Sequence, residues 1–318
     1  MYRIGIDLGG TNIVAGVVDE NYKIIATAKR KTNSPRSSEE IVSDMAAVAL
    51  EAIEKAGLKT SDIESAGVGS PGTIDNVNGI VCYANNLGFL DVHVSDMLKE
   101  KTGLSFFVEN DANAAAYGEF VAGAGKGTKD FIMITLGTGV GGGIIIDGKI
   151  YSGFNFAGGE LGHTVISVGG EICSCGREGC WEAYSSATAL IRQTKQAMKR
   201  YPDSLMWALC DNDINKVSGR TSFEAMRKGD MAAKMVVDQY VKYLAVGIAN
   251  NINIFQPEVI AIGGGISKEG DALIVPVSEI VKGENYARRL DKKALIKAAE
   301  LGNDAGIIGA AYISDMYK

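Results

Sequence analysis

The sequence predicts an α/β protein of two domains built to a similar design. Segments 4–18 and 132–146 share one pattern, in which a β-rich run, a turn of glycine and threonine, and a second β-rich run follow each other. A short internal match of this kind suggests two related domains. The rest of the chain alternates strand-like runs with stretches that have apolar residues at helical spacing. A length of 318 residues, 46% of them hydrophobic, is enough for two cores.

The remaining elements follow from periodicity and composition. Apolar residues at helical spacing, such as Ile41, Met45 and Val48, predict a helix, whereas short β-branched runs predict strands. The polar, poorly periodic segment 201–222 has no function that the sequence predicts. In chain order we predict a helix over 39–56, strands over 65–70 and 104–108, a helix over 112–122 that Asp111 starts, the hairpin of 132–146, helices over 183–198 and 231–254, a buried strand over 259–262 and a last helix over 305–317.

Composition and charge exclude several classes of protein. A net charge of −6 and a pI near 5.2 provide no basic field to neutralise phosphates, so we expect no nucleic-acid partner. The apolar runs are interrupted well before the ~20 residues of a membrane span, and the chain opens on a strand rather than on a secretory leader. Five cysteines, an odd number, fit a reducing compartment. We therefore expect a cytoplasmic protein.

One histidine and three cysteines form a cluster with the spacing of metal ligands. Four of the seven His and Cys residues of the chain lie between His163 and Cys180, together with Cys173 and Cys175. Three thiolates and an imidazole complete a tetrahedral shell around Zn²⁺ and leave no open position, so we predict a structural zinc site. The alternative is four unrelated residues, with the cysteines reduced and packed without a metal.

Three glycine turns are candidates for nucleotide binding. Gly9-Gly10-Thr11-Asn12 and Gly137-Thr138-Gly139 expose backbone amides and threonine hydroxyls that can bind a triphosphate. Asp7 is placed to orient Mg²⁺ through water. The third turn, Gly263-Gly264-Gly265, lets an adenosine approach the end of its strand. The alternative for each turn is an ordinary hairpin connection.

The acid–base candidate is Asp111, at the predicted junction of a strand and a helix. A carboxylate there can accept a hydroxyl proton, and Asn110 beside it offers both a donor and an acceptor. The alternative is that Asp111 is only a helix N-cap. Glu160, His163 and Glu182 surround the predicted zinc site, and a carboxylate can accept from two adjacent sugar hydroxyls. Three ordinary surface charges are the alternative for this group.

The sequence resembles the ROK family of sugar kinases and sugar-responsive repressors over essentially its full length. The zinc string is the most specific part of the match, whereas the glycine strings alone would not be specific. Only six residues precede Asp7, so the helix-turn-helix domain of the repressor branch is not expected. The matching motifs are Asp7-Leu-Gly-Gly-Thr-Asn12, Glu109-Asn-Asp-Ala-Asn113, Gly137-Thr-Gly-Val-Gly-Gly-Gly143, Glu160-Leu-Gly-His163 and Cys173-Ser-Cys-Gly-Arg-Glu-Gly-Cys180 with Trp181-Glu182.

The resemblance implies the actin-like ATPase (ribonuclease H-like) fold, with ATP and sugar in an interdomain cleft. The small domain would comprise 1–118, completed by the C-terminal helix 304–318, and the large domain 119–303 with the zinc-binding insertion. A homodimer is also implied. Within the family, the zinc string followed by Ala-Tyr-Ser-Ser is most similar to the glucokinase branch.

The implied activity is that of an ATP-dependent hexokinase acting on the 6-hydroxyl of glucose. Asp111 would be the general base, and sugar hydroxyls would be held by Asn110, Asp111, Glu160, His163 and Glu182, with Ser70 and Gly72 in a sugar-side loop. Other hexoses or amino sugars (fructose, mannose, N-acetylmannosamine), polyphosphate as donor, and a non-catalytic sugar sensor stay open as alternatives. The sequence is silent on regulation.

Overall fold

The computed structural model describes residues 1–317, which form two compact units. Unit 1 contains Met1–Met133, Gly143–Gly159 and the chain from Glu300 onward, and unit 2 contains Ile134–Gly142 and Glu160–Ala299. Unit 1 thus extends past the predicted boundary at residue 118 and takes in the C-terminal helix.

Runs of strands separated by single helices make up the first half of the chain, and α-helices predominate in the second half. Short 3₁₀ helices lie at 60–62, 161–163, 214–216, 266–269, 302–304 and 313–317. The strands and α-helices are β1 (Tyr2–Leu8), β2 (Asn12–Asp19), β3 (Ile24–Lys31), α1 (Ser38–Lys55), β4 (Ile63–Ser70), β5 (Thr73–Asp75), β6 (Ile80–Ala84), β7 (Phe89–Val92), α2 (Val94–Thr102), β8 (Phe106–Asn110), α3 (Asp111–Ala122), β9 (Phe131–Leu136), β10 (Val140–Ile146), β11 (Lys149–Ile150), α4 (Glu182–Ser185), α5 (Ala187–Arg200), α6 (Leu205–Ala208), α7 (Thr221–Arg227), α8 (Met231–Phe255), β12 (Val259–Gly264), α9 (Asp271–Glu284), β13 (Leu295–Ala298) and α10 (Ala305–Tyr312).

The main sheet of unit 1 has the strand order β3-β2-β1-β4-β8. β1 is antiparallel to β2 and parallel to β4, and β4 is parallel to β8. In this register Asp7 pairs with Gly69, and Gly69 pairs with Glu109. The ends of three neighbouring parallel strands therefore bring Asp7 and the start of α3 to the same edge of the sheet.

Glycines let α3, α10 and the sheet approach each other closely. A methyl group on Gly118 would overlap the carbonyl oxygen of Ala305, and one on Gly309 would overlap that of Ala114. Backbone-to-backbone contact of this kind is possible only without a Cβ. On the other side of the sheet, the apolar faces of α1 and α2 close a continuous core with the strands.

The second sheet has the order β11-β10-β9-β12-β13, and the division between the two units passes through β9 and β10. The long helix of unit 2, α8, buries one face along most of its 25 residues. The three short strands β5, β6 and β7 form a separate antiparallel sheet in unit 1, which the sequence analysis did not predict.

Two sequence predictions about elements need correction. The helix predicted over 183–198 is two helices, α4 and α5, because Ser186 adopts an extended conformation and its hydroxyl caps α5 by accepting from the amide of Ala189 at 3.1 Å. The last α-helix ends at Tyr312 and continues as a 3₁₀ helix. Segment 201–222, for which the sequence predicted no function, carries α6 and contributes Met206 and Cys210 to a small buried cluster.

None of the helices in the described part of the chain combines the length and apolarity that a membrane crossing needs.

Candidate active site

Two carboxylates of unit 1, Asp7 and Asp111, lie close enough that the charge of Asp111 affects the ionisation of Asp7. Both side chains are half-buried. Burial, together with the negative charge of Asp111, raises the pKa of Asp7 to about 6. Burial also raises the pKa of Asp111, although hydrogen bonding from the amide of Ala112 opposes that shift. The pair therefore has an increased affinity for a proton or another cation.

Asn110, and not Asp111, is the N-cap of α3. Its Oδ1 accepts from the amides of Ala112 at 2.9 Å and Asn113 at 3.2 Å, while its Nδ2 donates to the carbonyl of Gly72 at 3.0 Å. The interpretation of Asp111 as a simple N-cap is therefore wrong, because Asn110 holds the capping position and Asp111 is the first helical residue. Among the described residues, the Asp111 carboxylate accepts a hydrogen bond from one other residue, the amide of Ala112, to Oδ1 at 2.9 Å.

Another acidic residue, Glu109, holds the junction of β8 and α3 in place. Glu109 is 1% exposed and its carboxylate accepts from Asn76 Nδ2 at 2.8 Å, the Asn110 amide at 2.9 Å and Asn113 Nδ2 at 3.0 Å. Three donors compensate the loss of water around this charge. This role of Glu109, which lies in a family motif, was not predicted from the sequence, because its partner Asn76 is distant in the chain.

The first glycine turn is supported from beneath by Thr32. The Gly9 amide donates to the carbonyl of Asn12 at 2.9 Å, and the fully buried hydroxyl of Thr32 donates to the carbonyl of Gly9 at 2.5 Å. Gly10 and Thr11 at the tip of the turn are exposed. Helix α10 begins near the same place, since a methyl group on Gly306 would lie 3.2 Å from Cγ of Asp7. A ligand can thus reach the tip of the turn, while Thr32 holds the start of the turn in place. This role of Thr32 was not predicted from the sequence.

Ser70 and Gly72 act on this site through the backbone. Ser70 is fully buried, and its hydroxyl donates to the carbonyl of Pro71 at 3.2 Å. Gly72 has a φ of +105°, and a methyl group there would overlap the carbonyl oxygen of Tyr83. Its own carbonyl accepts the Asn110 bond, so this loop orients Asn110.

In unit 2 the four predicted metal ligands come together in space. One ligand atom from each of His163, Cys173, Cys175 and Cys180 lies within 4.8 Å of the other three. The Sγ atoms of Cys175 and Cys180 are 3.7 Å apart, and Cys173 Sγ is 3.6 Å from His163 Nδ1. Bond lengths of about 2.3 Å for Zn–S and 2.0–2.1 Å for Zn–N place tetrahedral donors roughly 3.5–3.8 Å apart. The donor set fits Zn²⁺, with Nδ1 as the histidine ligand atom.

The chain around these ligands contains little regular secondary structure. Between Ile150 and Glu182, all of which the structure describes, there are only the 3₁₀ helix 161–163 and two isolated bridges, Val165–Cys180 and Ile172–Glu178. In a segment with so few backbone ladder bonds, a bound metal would add much of the order. This segment carries Glu160 and His163, which begin and end the short 3₁₀ turn.

Glu182 connects the zinc ligands to the second glycine turn. Its Oε2 accepts from the amide of Val140 at 3.0 Å, and its Oε1 accepts from the hydroxyl of Ser174 at 2.8 Å. A methyl group on Gly139 would overlap Oε2, so the turn requires glycine at this position to accept the carboxylate. Within unit 2, one carboxylate thus touches both the strand after the turn and the zinc-binding loop.

The second and third glycine turns lie side by side in unit 2. The Gly137 amide donates to the carbonyl of Gly139 at 3.0 Å, and Thr188 Oγ1 donates to the carbonyl of Thr138 at 2.8 Å. Gly264 has a φ of +86°, and a methyl group there would overlap the backbone of Leu136, one residue before the second turn. A cavity of about 530 Å³ opens at the second turn, lined among others by Thr138, Gly139, Ser174, Glu182, Thr188 and Arg192.

This combination of fold and ligand groups places the chain in a known class: it belongs to the ROK family, whose family profile matches residues 3–316. The chain is similar to the glucokinase of Thermotoga maritima, with 40% identity over 314 residues that cover 98% of this chain and 96% of that protein. It is also similar to the glucokinase of Streptomyces coelicolor, with 37% identity over 310 residues, 97% of this chain and 96% of that protein.

Solved structures agree with the family assignment. A ROK family glucokinase from Streptomyces griseus, in complex with glucose and AMPPNP, superposes with a TM-score of 0.80 at 37% identity and covers 98% of both chains. The ROK hexokinase from Thermus thermophilus gives a TM-score of 0.81 at 32% identity over 100% of both chains. The predicted family and its actin-like ATPase fold are confirmed.

Proposed function

We propose that this protein transfers the γ-phosphoryl group of ATP to the 6-hydroxyl of glucose. The observation that carries the proposal is the half-buried Asp111 carboxylate, which has a raised pKa and leaves helix capping to Asn110. The similarity of the whole chain to glucokinases, one of them solved with glucose and AMPPNP, supports glucose and ATP as the substrates.

In the proposed reaction Asp111 accepts the proton of the 6-hydroxyl while the hydroxyl oxygen attacks the γ-phosphorus. The new bond joins O6 to the γ-phosphorus, and the bond between that phosphorus and the β,γ-bridging oxygen breaks, so ADP leaves and the proton stays on Asp111. A base whose pKa is raised toward neutrality accepts a proton more readily than an ordinary aspartate. Backbone amides of the glycine turns that are not bonded within the turn would bind phosphate oxygens.

Asp7 is the proposed anchor for Mg²⁺. Hard divalent cations prefer carboxylate oxygens, and two neighbouring carboxylates with raised pKa values form a site that such a cation would stabilise. When bound, Mg²⁺ would neutralise charge on the phosphates. Asp7 itself would orient the ion, directly or through water.

The sugar hydroxyls are proposed to be held by Asn110, Glu160, His163 and Glu182. Nδ1 of His163 faces Cys173, so Nε2 is the ring nitrogen left to donate to a hydroxyl. Zn²⁺ would fix the ring in that orientation and play no part in phosphoryl transfer. Asn110 is already oriented by its three bonds to the backbone.

The test is ADP release from Mg-ATP with a panel of hexoses and N-acetyl sugars, each with a no-sugar control. We expect glucose to give the highest kcat/KM. Faster turnover on fructose, mannose or N-acetylmannosamine would replace glucose and keep the mechanism. A protein that binds glucose but releases no ADP, and forms no glucose phosphate from polyphosphate, would be a sugar sensor.

We also propose a cytoplasmic homodimer. Free cysteines in a zinc-type arrangement support a reducing environment. For the dimer, α8 presents exposed apolar side chains, including Met231 at 69% and Met235 at 54% exposure. Sedimentation of the holoprotein at micromolar concentration should give twice the mass of one chain, and a single-chain mass would contradict it.

A further inference from the structure

Trp181 stands between a zinc ligand and a proposed sugar ligand in the sequence Cys180-Trp181-Glu182. Its side chain is fully buried. The indole Nε1–H donates to the carbonyl of Tyr243 in α8 at 3.0 Å, and its backbone amide donates to the carbonyl of Thr164 at 2.8 Å. This residue therefore joins the zinc-binding loop to the longest helix of unit 2.

Gly247, one turn after Tyr243 on α8, provides the space for the indole. A methyl group on Gly247 would overlap indole atoms Cε2, Cδ2 and Nε1. Glycine is among the weakest helix formers, so its position in the interior of a 25-residue helix calls for a packing reason. The indole in contact with the bare backbone is that reason.

We infer that the contact between Trp181 and Gly247 sets the positions of Cys180 and Glu182. Trp181 and Gly247 are positioning residues, since neither is placed to touch a substrate. Because the loop has little secondary structure of its own, the indole, buried against α8, fixes the loop directly beside the metal ligands. The part of this inference that concerns Glu182 and the sugar rests on the proposed function, and the part that concerns zinc retention does not.

The first test is Gly247→Ala, made in a Trp207→Phe background so that Trp181 is the only tryptophan. The added methyl should displace the indole, shift its fluorescence emission to longer wavelength and speed the release of zinc to a chelator by about 10–100-fold. The KM for glucose should rise by a similar factor while the KM for ATP stays within about twofold. The control is Gly283→Ala in α9, where a methyl group meets nothing within 4 Å.

A double-mutant cycle with Trp181→Leu separates positioning from general damage. Leucine lacks the ring atoms that the methyl would overlap, so Gly247→Ala should accelerate zinc release much less in that background. If Gly247→Ala does not fold, Trp181→Phe, which loses only the N–H donor and part of the ring, should still release zinc several-fold faster than the parent.

Unchanged emission and zinc release in a folded Gly247→Ala protein would overturn the inference. An effect of Gly247→Ala on zinc release that is equally large with and without the Trp181→Leu substitution would overturn it as well. The fluorescence and zinc measurements do not depend on phosphoryl transfer. A parent protein that fails to phosphorylate glucose would therefore overturn the proposed function while leaving the positioning result to be judged on its own.

Discussion

The two units hold their candidate functional groups in different ways. In unit 1, Asp7 and Asp111 lie at the ends of regular elements that grow out of a continuous core. In unit 2, Glu160 and His163 lie in a loop ordered by two bridges, a 3₁₀ turn and a set of metal ligands. We therefore expect that in unit 1 the replacement of a single carboxylate abolishes function without disturbing the fold. In unit 2 we expect that removal of the metal abolishes function by disordering the loop.

Buried carboxylates hold the geometry of unit 1 through hydrogen bonds to backbone amides. Glu119, fully buried in α3, accepts from the amides of Ala124 and Glu300 at 3.0 Å and of Leu301 at 2.7 Å. It ties the end of α3 to the chain just before α10, the helix that begins beside Asp7. Glu109 ties the start of α3 to Asn76 in the same way. Fully satisfied polar groups of this kind rigidify a site.

The largest effect is expected for Asp111→Asn. Asparagine keeps the shape of the side chain and cannot accept the hydroxyl proton, so kcat should fall by on the order of 10²–10⁴-fold. Glucose affinity, measured by calorimetry without nucleotide, should change by less than about threefold. The matched control is Asp96→Asn on the exposed surface of α2 of the same unit, which should behave as the parent.

Turnover of the Asp111→Asn protein within about threefold of the parent would show that Asp111 is not the base. In that case the raised pKa of Asp111 would reflect burial alone.

The contrasting behaviour is expected for Cys175→Ser in unit 2. We predict about one zinc ion per chain in the parent and loss of it in the variant, with the KM for glucose raised by roughly 10–100-fold. The KM for ATP should move little, because the glycine turns hold their own backbone bonds. Cys82→Ser, a half-buried free cysteine of unit 1, is the control. If Cys175→Ser keeps its full metal content, or if its KM for glucose is unchanged, the prediction that zinc supports sugar binding is wrong.

The sequence predicted the elements and ligands whose signals are local. The hairpin of 4–18, the helices α1 and α8, and the clustering of the four candidate zinc ligands follow from periodicity and from residue types within short spans. These features depend little on distant contacts, and the structure reproduces them.

Other features depend on partners far apart in the sequence or on a choice between similar residues. Asn110 and Asp111 are both good N-caps, and only the backbone conformation decides that Asn110 takes the role. The buried bonds of Glu109 to Asn76 and of Thr32 to Gly9 join residues that are not adjacent in the chain. The sequence predicted Ser70 as a substrate residue, and its complete burial follows from the packing of β4.

The smallest expected effect is a change in the stability of the folded protein with pH, which arises from Asp7 in unit 1. The pKa of Asp7 is raised from 3.8 to about 6 in the folded protein, so the folded state holds a proton that the unfolded state releases between those values. The free energy of unfolding contributed by Asp7 is therefore highest below about pH 4 and is lost as the pH rises through 6. Above pH 6 the charged carboxylate should cost on the order of 1–3 kcal/mol, a range that allows for its partial exposure.

Asp7→Asn should remove that cost, so it should stabilise the protein at pH 7.5 and have little effect at pH 4, while abolishing most of the kinase activity. Urea unfolding of parent and variant at both pH values, without Mg²⁺ or nucleotide, measures the difference, and Asp203→Asn on the exposed surface is the control. A gain that is equal at the two pH values would mean that ionisation of Asp7 is not the cause. A gain confined to high pH would show that unit 1 keeps a destabilising charge in place for its function. Unit 2 differs, since we expect its loop to be ordered by the bound metal.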